Sequence, residues 1–139
     1  MGSQLDGRKI RVSKNTQLPG CLLGTGFPYR DQKDWLELYL DIFTDFTKIV
    51  GAIRRPGSAA LDLAYVASGR YDGFWEFGLK PWDVAAGVLL IQEAGGIVQN
   101  IIPGTDPVES GSLLCGNPKI FEGMKEIVSQ YDKRLKAFA

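Results

Sequence analysis

Two acids and one helix-opening triplet are the residues of this chain best placed to do chemistry. Asp83 stands at the start of an apolar helical run, just past the break Gly78-Leu79-Lys80-Pro81. A carboxylate there stays ionised in the field of the helix dipole, and it is the kind of oxygen that a hard divalent cation takes. Asp83 could equally do no more than cap its helix. Glu76 alternates with Trp75 and Phe77 on a strand, so it either points to water or faces a ligand. Gly57-Ser58-Ala59 opens a second helix. Free amide groups at such an end suit an anionic or hydroxyl-rich ligand, although Ser58 caps the helix in either case. Arg54 and Arg55 precede the triplet, and either can turn toward a ligand or toward solvent. Asp62 and Glu93 read as structural, the first complementing a helix dipole and the second facing water at a helix end.

The rest of the composition narrows the chemistry. The chain has no histidine, which removes Ser-His-Asp and Cys-His triads, imidazole zinc sites and histidine bases. Lysine plus arginine equals aspartate plus glutamate, 16 each. That balance gives no reason to expect direct binding to nucleic acid or to a membrane surface. Cys21 and Cys115 lie far apart without metal spacing, which reads as two half-buried thiols in a reducing, cytoplasmic setting. No apolar run reaches the length of a membrane span. Apolar residues make up 45% and charged residues 23% of 139 residues, as in one soluble domain able to bury roughly two thirds of its unfolded surface.

The elements that must position these residues alternate between strand and helix, which is the pattern of an α/β domain. Strands are expected over 8–12, 21–27, 51–54, 71–77, 97–102 and 112–115. Trp35, Leu36, Tyr39, Ile42, Phe43, Phe46, Ile49 and Val50 recur at helical spacing within a helix expected over 31–50. Further helices are expected from Ala59 to Ser68 and from Trp82 to Ala94. A last one begins at Asn117-Pro118 and carries one stripe from Ile120 to Leu135. The run 103–110 reads as a loop. Gly24-Thr25-Gly26 lacks the third glycine of a dinucleotide fingerprint.

The stretch from Arg54 to Gly96 reads RRPGSAALDLAYVASGRYDGFWEFGLKPWDVAAGVLLIQEAGG. Its block from Trp82 resembles the second signature of the inositol monophosphatase family, W-D-x-A-A-G closed by E-A-G-G. The segment G-S-A-A-L-D-L-A-Y-V-A-x-G-R is similar to the bacterial, SuhB-like branch of that family. Gly2-Ser3-Gln4-Leu5-Asp6-Gly7 resembles the family's G-A-x-x-N-G turn, with Asp6 in place of asparagine. The family's first signature, D-P-x-D-G-T, does not occur. Asp106-Pro107-Val108-Glu109-Ser110 is only a decoy for it, lying after the Trp82 block instead of before.

The resemblance implies a C-terminal layered α/β domain of the inositol monophosphatase and fructose-bisphosphatase-like sugar phosphatase fold. Residues 1–139 would form that single domain, and the N-terminal metal-binding domain would be absent. The opening residues look like a cut inside a fold. The implied reaction is magnesium-dependent hydrolysis of inositol monophosphate. Asp83 would be the catalytic-site carboxylate, binding both Mg2+ and a substrate hydroxyl. Arg54, Gly57, Ser58, Ala59 and Glu76 would contact substrate, with Arg55 able to share or take the role of Arg54. Another sugar or nucleotide phosphatase is the enzymatic alternative, against which the G-S-A-A-L-D segment argues. The alternative of a different class is a non-catalytic role with transcription-complex proteins in antitermination. The isolated chain is expected to be inactive. It is also expected to self-associate, with the aromatic cluster Phe74, Trp75, Phe77 and Trp82 contributing to an uncovered surface.

Overall fold

The computed structural model describes residues 4–5, 7–27 and 35–138. Asp6 and the segment 28–34, on which part of the expected first helix falls, lie outside the described residues, as do 1–3. β1 (Gln4–Leu5) pairs antiparallel with β2 (Arg8–Lys9). The strand expected over 8–12 ends early because Ile10 and Val12 leave the ladder and pack on the core. The Val12 amide donates to Ala94 O at 3.1 Å instead.

The main sheet has five strands: β3 (Leu22–Thr25), β4 (Ala52–Arg54), β5 (Gly73–Glu76), β6 (Ile97–Asn100) and β7 (Leu113–Gly116). Their order is β4-β3-β5-β7-β6. β3 runs parallel to both β4 and β5, whereas β7 is antiparallel to β5 and to β6. Side chains alternate across a strand, so each buried strand divides its residues between two cores. Leu23, Trp75, Phe77 and Leu114 point to one face, which is covered by α1 (Leu36–Thr47) and α5 (Pro118–Ser129). Phe74, Leu113 and Cys115 point to the other, which is covered by α2 (Ala59–Ala67) and α3 (Pro81–Glu93). The result is a three-layer α/β/α sandwich. Its first core is aromatic: Phe46 packs on Trp75 with ring centroids 4.5 Å apart, and the Tyr39 hydroxyl bonds Thr25 Oγ1 at 3.0 Å.

Four local outcomes differ from the sequence reading. The 103–110 stretch is not all loop, because α4 (Pro107–Ser110) closes one helical turn there. The Asp106 carboxylate accepts from the amides of Val108 and Glu109, at 2.9 and 3.0 Å, and that capping is what closes the turn. The final helix is broken at Gln130-Tyr131, and a short α6 (Asp132–Leu135) follows. The break brings buried Leu135 and partly buried Phe138 back onto the core, where Phe138 stacks on Trp35 at 4.2 Å. Arg134 then pairs with Asp41 of α1 at 2.7 Å, and the Tyr131 hydroxyl donates to Asp45. Cys21 and Cys115 are free thiols and fully buried, not half-buried. Of the four aromatics expected at an uncovered surface, Phe74, Trp75 and Phe77 are core residues and only Trp82 is exposed, at 78%.

A polar knot closes the sheet at the end where β3 and β5 begin. Asp72 accepts from Ser13 Oγ at 2.5 Å and from the Leu22 amide at 2.7 Å. Asn117 Nδ2 donates to Ser13 Oγ and to Asn15 O, each at 2.9 Å. Segment 13–17 is thereby pinned across this end. No described helix is long and apolar enough to cross a membrane.

Candidate active site

Because β3, β4 and β5 are parallel, their carboxyl ends open on one edge of the sheet. Helix α1 leaves β3 toward one face, while α2 leaves β4 toward the other. Crossovers that part in this way open a crevice at the carboxyl ends of the strands, where α/β sheets bind their ligands. Gly26 follows β3, Arg55 follows β4, and Glu76 ends β5. The N-termini of α2 and α3 come directly after β4 and β5 and face the same edge.

Glu76 lies in register with Leu113, on the face covered by α2 and α3, and is only 5% exposed. Gly26 makes room for it: a Cβ at that position would lie 2.0 Å from Glu76 Oε1. Burial, and then the charge of Asp62, push the Glu76 carboxyl up to about 8. Arg55 opposes that shift and Asp83 adds to it. A cavity of about 70 Å³ is lined by Gly26, Phe27, Arg55, Gly57, Ala59 and Glu76. Ligand pockets typically measure about 300–1,000 Å³, so this is one wall of a site and not a whole one. Larger hollows exist outside α2 (about 320 Å³) and beside β6 (about 220 Å³), but no buried ionisable group lines either. The chemistry therefore marks the smaller cavity.

The structure brings together Glu76, Gly57, Ala59 and Arg55. Ser58 caps α2, its Oγ accepting from the Leu61 amide at 3.4 Å, and its side chain is outside the cavity lining. Of the two arginines, Arg55 is the one that lines the cavity. Its guanidinium carbon sits 4.6 Å above the Phe27 ring, over the cavity. Arg54 lies in the ladder opposite Gly24 and does not line the cavity. Asp83 is not the cap of α3, because Lys80 occupies that position. The Asp83 amide donates to Lys80 O at 2.9 Å, and its half-buried carboxylate sits in the first turn, close enough for Glu76 to feel its charge.

These residues do not make up a magnesium site by themselves. Among the described residues, no group of three or more histidine, cysteine, aspartate or glutamate side chains is placed to hold a metal ion. Asp83 offers one carboxylate, whereas a hard cation wants about six oxygen ligands.

Sequence reasoning did not foresee the burial of Asp62 near the start of α2. Asp62 is 1% exposed, its Oδ1 has no hydrogen-bond donor, and burial raises its carboxyl to about 6. A signal was available: it stands three residues after Ala59, on the face of α2 that also buries Leu63, Val66 and Ala67. The place of Gly26 beside Glu76 was readable only with the sheet in hand. Glu93 is exposed, as expected.

The sequence model described as "Inositol monophosphatase family" matches residues 1–133. A relative from Pseudomonas aeruginosa named "Nus factor SuhB" is 52% identical over 124 residues, covering 88% of this chain and 46% of the relative. The chain thus spans about half the length of the curated relatives it matches. Among solved structures, the extragenic suppressor protein suhB of Bartonella henselae superposes with a TM-score of 0.86 at 39% identity. That match covers 93% of this chain and 49% of the other. Inositol monophosphatase from Anabaena superposes at 0.84 with 40% identity, covering 94% and 51%. The mixed five-stranded α/β sheet, the crevice at its carboxyl ends and the sequence match along nearly the whole chain lead to one conclusion: this chain belongs to the inositol monophosphatase family.

Proposed function

We propose that this chain is the C-terminal half of a magnesium-dependent phosphomonoesterase whose substrate is inositol monophosphate or a closely related sugar phosphate. One observation carries the reading. Glu76, Arg55 and the open N-terminus of α2 line one wall, and Asp83 stands beside it in the first turn of α3. Glu76 and the Gly57-Ser58-Ala59 turn would meet the sugar hydroxyls, and Arg55, with Arg54 behind it, would meet the outer rim of the substrate. Asp83 would hold one metal ion and one hydroxyl. The remaining metal ligands and the phosphate cradle would come from an N-terminal domain, leaving residues 1–139 as one domain of the whole. Bound magnesium would supply the polarised phosphate and the activated water.

The test is phosphate release from inositol 1-phosphate with magnesium. The purified 139-residue chain is expected to release none, while a longer protein carrying both halves turns the substrate over. Turnover by the chain alone would show that the half is sufficient. No hydrolysis of any sugar monophosphate by the longer protein would remove the phosphatase reading.

A second reading is favoured by the name of the Pseudomonas relative, "Nus factor SuhB": a cytoplasmic, non-catalytic role with proteins of a transcription antitermination complex. Retention of RNA polymerase components on the immobilised protein, unaffected by Asp83→Asn, would support it.

Self-association belongs to the same proposal. Leu61, Trp82 and Leu89 are exposed on α2 and α3, at 45%, 78% and 56%, and exposed apolar surface of this kind finds partners. The chain is expected to be at least dimeric at micromolar concentration. Light scattering that returns a monomer mass across a hundredfold dilution would show otherwise.

A further inference from the structure

Glu76 and Asp83 stand on either side of one turn, and the path of that turn sets where the second acid lies relative to the first. Glu76 is fixed by the sheet, because the β5–β7 ladder ends on its pairing with Leu113. Asp83 follows residues 77–82, among which Gly78 takes φ of 69°. A glycine in a turn is the easiest place for a chain to swing, yet two amides of this turn are held from one side. The Leu79 amide donates to Gly111 O and the Gly78 amide to Ser112 Oγ, each at 2.9 Å. Ser112 is fully buried, where a hydroxyl is tolerated because it is hydrogen-bonded. Its backbone is tied on its own account: the Ile101 amide donates to Ser112 O at 3.0 Å, and the Ser112 amide donates to Ser110 Oγ at 3.1 Å. The side chain therefore reaches the turn from a fixed point. Behind it, α4 is closed by the Asp106 carboxylate at one end and by left-handed Gly111 at the other, and it packs on α3. On the far side of the turn, the Asp83 amide donates to Lys80 O at 2.9 Å. The support runs unbroken from α4 through 111–112 and 78–80 to Asp83.

We infer that Ser112 is a positioning residue for Asp83: its hydroxyl accepts the Gly78 amide, and that bond fixes the direction in which α3 leaves β5, and with it the place of the Asp83 carboxylate beside the Glu76 wall. Ser112 lines no part of the cavity and acts through the turn alone. The two acids depend on it unequally. Glu76 sits in the ladder whether or not residue 112 carries a hydroxyl, whereas Asp83 lies beyond the supported turn. A misplacement of about 1 Å in a group that takes part in a reaction can lower its rate on the order of a hundredfold, so a bond that orients a metal-binding carboxylate has an effect far from its own position. The inference rests on the reading that Asp83 holds a metal ion, but the first measurement below needs neither metal nor substrate.

The test compares native protein with Ser112→Ala, which removes the acceptor and little else. Residual dipolar couplings of the amides are measured by NMR in the 139-residue chain. The couplings of residues 78–84 should change in the variant, while those of Gly73–Glu76 and Leu113–Gly116 keep their native pattern. Unchanged couplings at 78–84 overturn the inference. If Ser112→Ala does not fold, Ser112→Cys, which keeps the shape with a weaker acceptor, takes the same reading. The second measurement uses a longer protein carrying both halves. There Ser112→Ala should raise the magnesium concentration for half-maximal rate by about tenfold and leave KM for the sugar phosphate unchanged. In an Asp83→Asn background the same substitution should add nothing, because the group it positions is already gone. A rise in KM instead, or a full effect that persists without the Asp83 carboxylate, overturns the inference. If the longer protein hydrolyses no sugar phosphate, the phosphatase reading falls, and the couplings alone decide whether Ser112 positions Asp83.

Discussion

Replacing Asp83 by asparagine, in a protein that carries this chain together with the other half of the fold, is expected to lower turnover on the order of a hundredfold. Asparagine keeps the size of the side chain and its place in the first turn of α3, so the helix and its packing are preserved. What is lost is the negative charge, and with it the attraction for a divalent cation; the magnesium concentration for half-maximal rate should rise as well. Glu76→Ala should behave differently. Contacts to sugar hydroxyls are present in the ground state and the transition state alike, so their loss raises KM, by about tenfold, and leaves kcat nearly unchanged. Glu76→Gln, which keeps a donor and an acceptor, should fall between the native protein and Glu76→Ala. Steady-state kinetics of the three variants with magnesium varied would check the division. If Asp83→Asn and Glu76→Ala change the same parameter, the separate roles of the two acids are wrong.

The second large effect is on stability. Gly111→Ala is expected to destabilise the chain by roughly 3 kcal/mol. Gly111 ends α4 with φ of 69°, a left-handed conformation that costs an L side chain energy. A Cβ there would also lie 1.7 Å from Leu79 O and 2.5 Å from Leu79 C. Those are backbone atoms, and they cannot swing aside as the end of a side chain can. The Leu79 amide donates to Gly111 O and the Gly78 amide to Ser112 Oγ, each at 2.9 Å, so the colliding segments are also tied together. Because 78–80 leads straight into α3, relief of the clash would shift Asp83 too. Gly104→Ala is the control. Gly104 has φ of 82° but nothing within 4 Å of its Cβ direction, so only the backbone term of about 1 kcal/mol remains. Urea unfolding of both variants would check the difference, and equal losses would mean that the contact with Leu79 is not what matters.

The chemistry-bearing segments of this protein were legible because their signals are local. Asp83 beside a glycine-proline break, Ser58 ahead of an apolar helix, and the stripe from Ile120 to Leu135 are each set by residues within a few positions of one another. Helix dipoles, caps and the 3.6-residue period act over that range. The Trp82 block and the G-S-A-A-L-D run carried the family in the same way, since a motif is a local word. Even so, the length of the last helix was misread. Tyr131 and Leu135 continue its apolar period, but the chain bends between Ser129 and Asp132, which seats Leu135 and Phe138 on the core.

What only the tertiary structure decided lies between segments. Gly26, Arg55, Ala59 and Glu76 come from the end of β3, the turn after β4, the start of α2 and β5, and nothing near any one of them in sequence specifies the others. Their meeting depends on parallel register, with Leu23 against both Ile53 and Gly73, which carries the three strand ends to a common edge. Register also sends Arg54 into the ladder and leaves Arg55 free to lie over Phe27. Burial is a property of the assembled layers as well. Asp62 looked like an acid complementing a helix dipole until the packing of α2 against the sheet took it out of water.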